Sequence, residues 1–190
     1  EIVPQNLEVT VEASGMVEAI SSIEIKSKAS GEVLLLGAEV GDFVEKGSIL
    51  AQIDQRTPKN ILDQSKSDLE AAKVRLTNAE AAFDRGKELH IKKSISDQAY
   101  EDIQENYAQA KSTLVRSEVS YENAKIALDD TIVRSPTSGT VVSRPVEAGQ
   151  VISSPTSAVG GGTLIMTLAD LTKVRAVSYT HLRAHETRFY

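Results

Sequence analysis

The sequence has no cysteine and no tryptophan among its 190 residues. Without cysteine there are no disulfides, thiolate metal centres, cysteine nucleophiles or lipidated cysteines within these residues. That usage fits an extracytoplasmic setting. Aromatic residues are only 4% of the chain, so the core is expected to be thin, or divided between a small β-domain and a coiled coil. No run approaches eighteen apolar residues, which excludes a bilayer-spanning helix in this stretch. An excess of basic residues is also missing: the net charge is −6. Nucleic-acid surfaces need clustered Lys and Arg to replace phosphate counterions, and basic membrane-surface patches need them too. The sequence opens at Glu1 without an initiator methionine or signal peptide. The expectation is that any export signal or anchor lies outside it.

Three textures follow one another. Short β-type runs broken by glycine occupy the chain to about Asp54, and the same texture returns from Thr131 to about Asp170. Between them the period is helical. Leu62, Leu69, Leu76 and Phe83 recur every seven residues, with Ser65, Ala72, Ala79 and Gly86 three positions later. A second run holds Tyr100, Tyr107, Leu114, Tyr121 and Leu128, with companions Ile103, Ala110, Ser117 and Ala124. These are heptads with large residues at one seam position and mostly small ones at the other, which lets two helices approach closely. Thr57-Pro58 is expected to cap and start the first helix, and Ser96-Asp97 the second. The short connection Lys92–Asp97 makes the helices antiparallel neighbours. Each has roughly thirty-odd residues, so the hairpin reaches on the order of 50 Å.

The β-segments repeat each other. With Gly31 set on Gly139, Ser27 meets Ser135, Val33 meets Val141 and Gly41 meets Gly149. After an insertion in the second copy, Ile49–Ile53 corresponds to Leu164–Leu168. Two such copies imply a pseudo-twofold β-sandwich in which neither half buries its apolar face alone. The halves must pair, so residues 54 and 131 should be adjacent, with the hairpin leaving and returning at one point.

The phrases ASGEV…VGDFVEKGSILAQID and SPTSGTVVSRPVEAGQVI resemble the two halves of a biotinyl/lipoyl domain. In such a domain a modified lysine sits on a tight hairpin between the halves; here the helical hairpin takes that place. This arrangement resembles the HlyD/RND-type membrane fusion proteins, over roughly residues 7–176. The ending LIMTLADLTKVRA is most similar to adaptors of macrolide-type ABC efflux pumps. The implied fold is α+β: a split lipoyl/biotinyl-like sandwich with an inserted antiparallel α-helical coiled coil, plus fragments of an adjoining β-barrel domain. The expected layout is N-terminal barrel or membrane-proximal strands at 1–24, lipoyl halves at 25–54 and 131–170, the hairpin at 55–130 and the start of the barrel at 171–176. Asn6–Val11 and Gly15–Ala19 alternate as strands. The rest of the barrel is expected to be missing, so that the chain is a C-terminally truncated adaptor.

The resemblance implies a periplasmic, non-enzymatic adaptor without cofactor or metal, anchored to the inner membrane through an N-terminal segment outside this chain. Its implied partners are an inner-membrane ABC or RND transporter, a TolC-like outer-membrane channel and further copies of itself in a ring, a hexamer by family likeness. Adaptors that engage TolC-like channels share a tip pattern of Arg, three residues, Leu, six residues, Ser; Arg85, Leu89 and Ser96 have that spacing. Read singly, these are a solvated arginine, ordinary packing and a helix cap. Two points favour docking: Arg85 and Leu89 share one helix face, and Leu89 falls off the seam of Phe83, Gly86 and His90, beside Ile91 and Ile95. An apolar residue exposed there suggests a partner contact. Gln150, after Gly149, is a weaker candidate for lining the ring channel; the plainer reading is a turn residue.

Other features carry less. Gly160-Gly161-Gly162 lacks the Lys-Ser/Thr and helix of a phosphate loop and reads as a flexible loop. His181 and His185 have zinc-pair spacing beside Glu186, but from Val177 to Tyr190 the alternation a barrel strand needs is lost. That tail resembles translated sequencing-adapter read-through and is expected to be non-native. Two other functions remain open: a biotin or lipoate carrier, which needs a lysine on a tight turn between the halves, and a purely structural coiled coil, which leaves the repeated flanks unexplained.

Overall fold

The computed structural model describes residues 15–155, 161–171 and 174–178. Strands β1 (Gly15–Ala19), β2 (Ser22–Lys26), β3 (Gly31–Leu36), β4 (Phe43–Val44) and β5 (Ile49–Ile53) lead into α1 (Arg56–Ile91) and α2 (Asp97–Asp129). Strands β6 (Ile132–Arg134), β7 (Gly139–Ser143), β8 (Val151–Ile152), β9 (Leu164–Ala169) and β10 (Val174–Ser178) follow.

The sandwich has two four-stranded sheets, ordered β2-β9-β7-β4 and β6-β5-β3-β8. Each sheet takes strands from both halves of the sequence. Exchanging β2 with β6, β3 with β7, β4 with β8 and β5 with β9 turns one order into the other, so the sequence repeat is a structural pseudo-twofold. Single hydrogen bonds repeat with it. Gly41 N–H donates to the Val141 carbonyl and Gly149 N–H to the Val33 carbonyl, both at 2.8 Å. The buried hydroxyls of Ser27 and Ser135 each donate to the carbonyl two residues on, Ala29 and Thr137. Asp42 and Gln150 each accept, through a side-chain oxygen, the backbone N–H three residues back. Gly41 and Gly149 take φ of 101° and 83°, a region in which glycine avoids the Cβ clash of other residues.

The core follows from alternation. Leu50, Ala51 and Ile53 on β5 and Ile165, Met166 and Leu168 on β9 are buried, with Val33, Val141, Val146 and Ile152. This core is wholly aliphatic: Phe43, the one phenylalanine of the sandwich strands, is 69% exposed. The expected scarcity of aromatic bulk is met by this thin core and by a coiled coil that holds Phe83, Tyr100 and Tyr107 in contact.

The hairpin leaves and returns at one point, as the pairing of the halves requires. Ile53 N–H donates to the Thr131 carbonyl at 2.9 Å. The Gln55 side-chain amide donates to Thr131 Oγ1 at 2.9 Å, and that hydroxyl donates to the Leu128 carbonyl at 2.6 Å. Thr131 is fully buried. With 36 residues in α1, the hairpin extends about 54 Å at 1.5 Å per residue. Its seam is the expected one: Ser65, Leu69, Ala72 and Gly86 are buried on α1, and Ala124 on α2.

Three boundaries depart from expectation. The first helix begins at Arg56, not at a Thr57 cap, and its N-cap Gln55 makes no side-chain cap bond. Asp54 supplies the acceptor instead, its carboxylate taking the Arg56 N–H at 3.0 Å. Pro58 sits in the first turn, where its missing N–H removes no helical bond. Strand β2 starts at Ser22, which pairs with Ala169, so residues 22–24 belong to the sandwich and not to the segment ahead of residue 25. Strand β10 lies antiparallel to β1 and carries Val177 opposite Met16 and Ser178 opposite Gly15. Pairing thus continues two residues past the expected start of the tail. Asn6–Val11 and residues 179–190, with His181, His185 and Glu186, lie outside the described residues.

Candidate functional site

The far end of the hairpin gathers the residues singled out by spacing. Arg85 and Leu89 lie on the last turns of α1, and both are exposed. Leu89 is 43% exposed and Ile91 72%. The seam beside them uses Phe83, Gly86 and His90 in place of Leu89, so this apolar surface is not needed to hold the helices together. Ile95, in the connection between the helices, is half-buried.

The connection is a tight helix stop. Ser94 N–H donates to the Leu89 carbonyl at 2.8 Å and Lys93 N–H to the His90 carbonyl at 2.9 Å. This is the paired-bond pattern of a Schellman termination, which places the residue after the cap in the left-handed region. That residue is Lys93, at φ 53°, where glycine is the usual occupant. Ser96 then caps α2: its hydroxyl accepts the Ala99 N–H at 3.2 Å. The cap reading of Ser96 therefore holds, and its hydroxyl is already engaged within the chain.

Below the tip the helices approach closely. A Cβ built on Gly86 would stand 2.8 Å from Ile103 Cδ1, so glycine sets the local spacing. Aromatic rings fill the seam on either side. Phe83 stacks on Tyr107 with centroids 5.1 Å apart and on Tyr100 at 6.0 Å, and His90 stacks on Tyr100 at 4.6 Å. This ladder was legible only as heptad positions; the cross-helix pairing of its rings needs the register between helices, which spacing within each helix does not supply.

Gln150 lies far from the tip along the chain, in the exposed turn before β8, where its Oε1 accepts the Glu147 N–H at 3.2 Å. The structure therefore brings Arg85, Leu89 and Ser96 to one end of the hairpin and leaves Gln150 with the sandwich. Of the glycine run, Gly161 and Gly162 are described; a Cβ on Gly162 would press on Pro155 and on the Ser27 carbonyl at 3.0 Å. That close approach packs the loop against the sandwich. Among the described residues no group of three His, Asp or Glu side chains could hold a metal ion, and no helix is long and apolar enough to cross a membrane.

A split lipoyl-like sandwich with a helical hairpin inserted between its halves defines the class of membrane fusion proteins. The family profile described as RND MFP, barrel-sandwich hybrid domain, matches residues 21–160, and the chain belongs to that family. It is 29% identical over 140 residues to the multidrug resistance protein MdtA of Shigella boydii, covering 74% of this chain and 34% of MdtA. To the multidrug efflux pump subunit AcrA of Escherichia coli it is 29% identical over 148 residues, covering 78% of this chain and 37% of AcrA. The chain thus spans about a third of the length of these curated relatives. Among solved structures, MacA from Actinobacillus actinomycetemcomitans superposes with a TM-score of 0.60 at 27% identity, over 87% of this chain and 54% of MacA.

Proposed function

We propose that this chain is the hairpin-bearing part of a periplasmic adaptor that joins an inner-membrane transporter to a TolC-like outer-membrane channel in an efflux pump, without catalysis of its own. The observation that carries the reading is the tip: Leu89 and Ile91 are exposed at the end of a hairpin whose seam does not use them. An apolar end on a long, narrow projection is suited to insertion into a partner, since burying such a surface stabilises a contact by roughly 25 cal/mol per Å². Arg85, four residues from Leu89 on the same face, would pair with polar or acidic groups at the rim of that contact. Ser96 contributes by fixing the first turn of α2.

The same reading places further copies side by side in a ring, six by family likeness, with the turn carrying Gln150 facing its channel. The ending LIMTLADLTKVRA favours an ABC transporter of the macrolide type as partner, while the likeness to the multidrug resistance protein MdtA and the multidrug efflux pump subunit AcrA favours multidrug efflux. An N-terminal segment outside this chain would supply the inner-membrane anchor.

The test is made in a full-length adaptor carrying this hairpin. Leu89→Asp, or charge reversal by Arg85→Glu, is expected to abolish drug resistance while thermal unfolding stays within about 0.5 kcal/mol of wild type, as for exposed sites generally. Unchanged resistance removes these residues from the docking site.

A further inference from the structure

Away from the tip, the two outer edges of the hairpin match each other in height. Gly86 on α1 faces Ile103 on α2, which sets one level of the hairpin. Five residues nearer the root stand Ala81 and Ala108, and twelve nearer stand Val74 and Val115. The groove that joins Ala71 and Arg75 of α1 to Thr113 and Arg116 of α2 fixes the same level. Within their heptads, Val74 and Ala81 fall opposite the seam of Leu69, Ala72 and Leu76, and Val119, with Val115 beside it, falls opposite the seam of Leu114 and Ser117. All are exposed, Val74 by 60%, Val115 by 52% and Val119 by 56%. A single exposed valine is ordinary. Three near one level are not favoured by the helix itself, since β-branched side chains lose rotamer freedom there and straight-chain residues do not.

We propose that these edges are the two halves of one self-association surface, by which the α1 edge of one copy packs, level, on the α2 edge of the next. The edges point in opposite directions, so a chain cannot join its own. Another copy set alongside at the same height brings them together. Val74 then enters the space between Ser112, Val115, Arg116 and Val119, and Val119 enters that between Ser67, Glu70, Ala71 and Val74, the i, i+3, i+4, i+7 spacing of knobs into holes. Small residues open both spaces, and the Ser67 hydroxyl is already bonded to the Asp63 carbonyl at 3.0 Å. Glu70 and Arg116, of opposite sign, border the contact. Asp63, Glu70 and Asp84 form the neighbouring row on α1, which argues against an anionic lipid surface as the occupant. Because the two edges differ, the contact is heterologous and passes on from copy to copy. It rests on the side-by-side reading above and supplies that reading with a contact surface and a level.

Cross-linking reads the contact directly, because the chain has no cysteine of its own and a disulfide forms only between Cα atoms about 4.4–6.8 Å apart. Val74→Cys and Val115→Cys are made separately in the 190-residue chain, mixed and oxidised. A mixed disulfide dimer is expected, about tenfold or more above the dimer formed by either variant alone. Ile126→Cys, on the same edge but about 16 Å nearer the root, should not replace Val115→Cys. Adding Val119→Asp to the Val115→Cys variant should cut the mixed dimer about tenfold, since it buries an unpaired charge in the contact, with thermal unfolding of the monomer unchanged. Absence of the mixed dimer, an equal yield from Val74→Cys alone or with Ile126→Cys, or survival of the dimer beside Val119→Asp overturns the proposal. Sedimentation of the unlinked chain tells two failures apart. Oligomers without the mixed disulfide discard this surface alone, and a monomer at every concentration discards the side-by-side reading with it. The tip takes no part, so the resistance test stands separate.

Discussion

The sandwich and the hairpin solve the same problem in opposite ways. In the sandwich, fully buried Leu50, Ile53, Ile165, Met166 and Leu168 come from strands more than a hundred positions apart in sequence, and each sheet sets two central strands from one half between two from the other. In the hairpin, the seam is one row of residues per helix, and most of each helix is exposed. A two-layer core hides most of its side chains completely; a two-helix seam buries only a few, Ser65, Leu69, Ala72, Gly86 and Ala124, because solvent reaches it from both sides. Stability in this chain is therefore concentrated at the root of the projection, and the tip is held by a few local devices.

Truncations at matched leucines break or sharpen that contrast most strongly. Leu50→Ala, in the sandwich, should destabilise the chain by about 3–5 kcal/mol, and Leu69→Ala, in the seam, by only about 2 kcal/mol, because the open seam can close on the gap. Chemical denaturation followed by circular dichroism measures both, and equal losses would erase the distinction. Thr131 joins the two regions, and Thr131→Val keeps its shape while removing the hydroxyl between Gln55 and Leu128. A loss of about 1–3 kcal/mol is expected from leaving buried partners unsatisfied.

Gly86 tests how closely the seam is set. Gly86→Ala gains about 1 kcal/mol of helix propensity but forces its Cβ on Ile103 Cδ1, with an overpacking cost of about 1–3 kcal/mol. A net loss of about 1 kcal/mol is expected. Ile103→Val removes the offending methyl, and in that background the same substitution should become neutral or stabilising; a thermal-unfolding double-mutant cycle reads the change of sign.

The smallest effect lies at the exposed Asp54–Arg56 pair. The hydrogen bonds and charge of Arg56 hold the Asp54 carboxyl below its ordinary range. Its contribution is present above the unfolded carboxyl's titration and is lost as pH falls through the folded one. Asp54→Asn should slightly flatten the acid limb of the stability–pH curve and leave the neutral limb parallel to wild type. An unchanged acid limb would remove this pair from the account of the junction.

Much of this architecture was legible in the residues. The heptads named the seam, because helical periodicity is local: Ser65, Leu69, Ala72, Gly86 and Ala124 stand where counting by sevens puts them. The match of Ser27 with Ser135 and Gly41 with Gly149 named the pseudo-twofold, because equivalent turns need equivalent residues. Misplacements occurred where a distant or competing partner decides. The Asp54 carboxylate moved the start of α1 ahead of the Thr57-Pro58 signal. Pairing with Ala169 drew Ser22 into the sandwich. For the tip, Leu89 could be placed off the seam from spacing alone, but the half-burial of Ile95 in the connection could not, since no periodicity runs through a turn.

By itself, then, the sequence determined that a long antiparallel hairpin interrupts a duplicated β-domain, since both patterns repeat within short windows. Only the tertiary structure decided which half's strand lies beside which, how Thr131 locks the hairpin root, and that the His90 ring rests on Tyr100. Those facts join residues whose relation is set by packing and register between elements, and no periodicity within a single element carries that information.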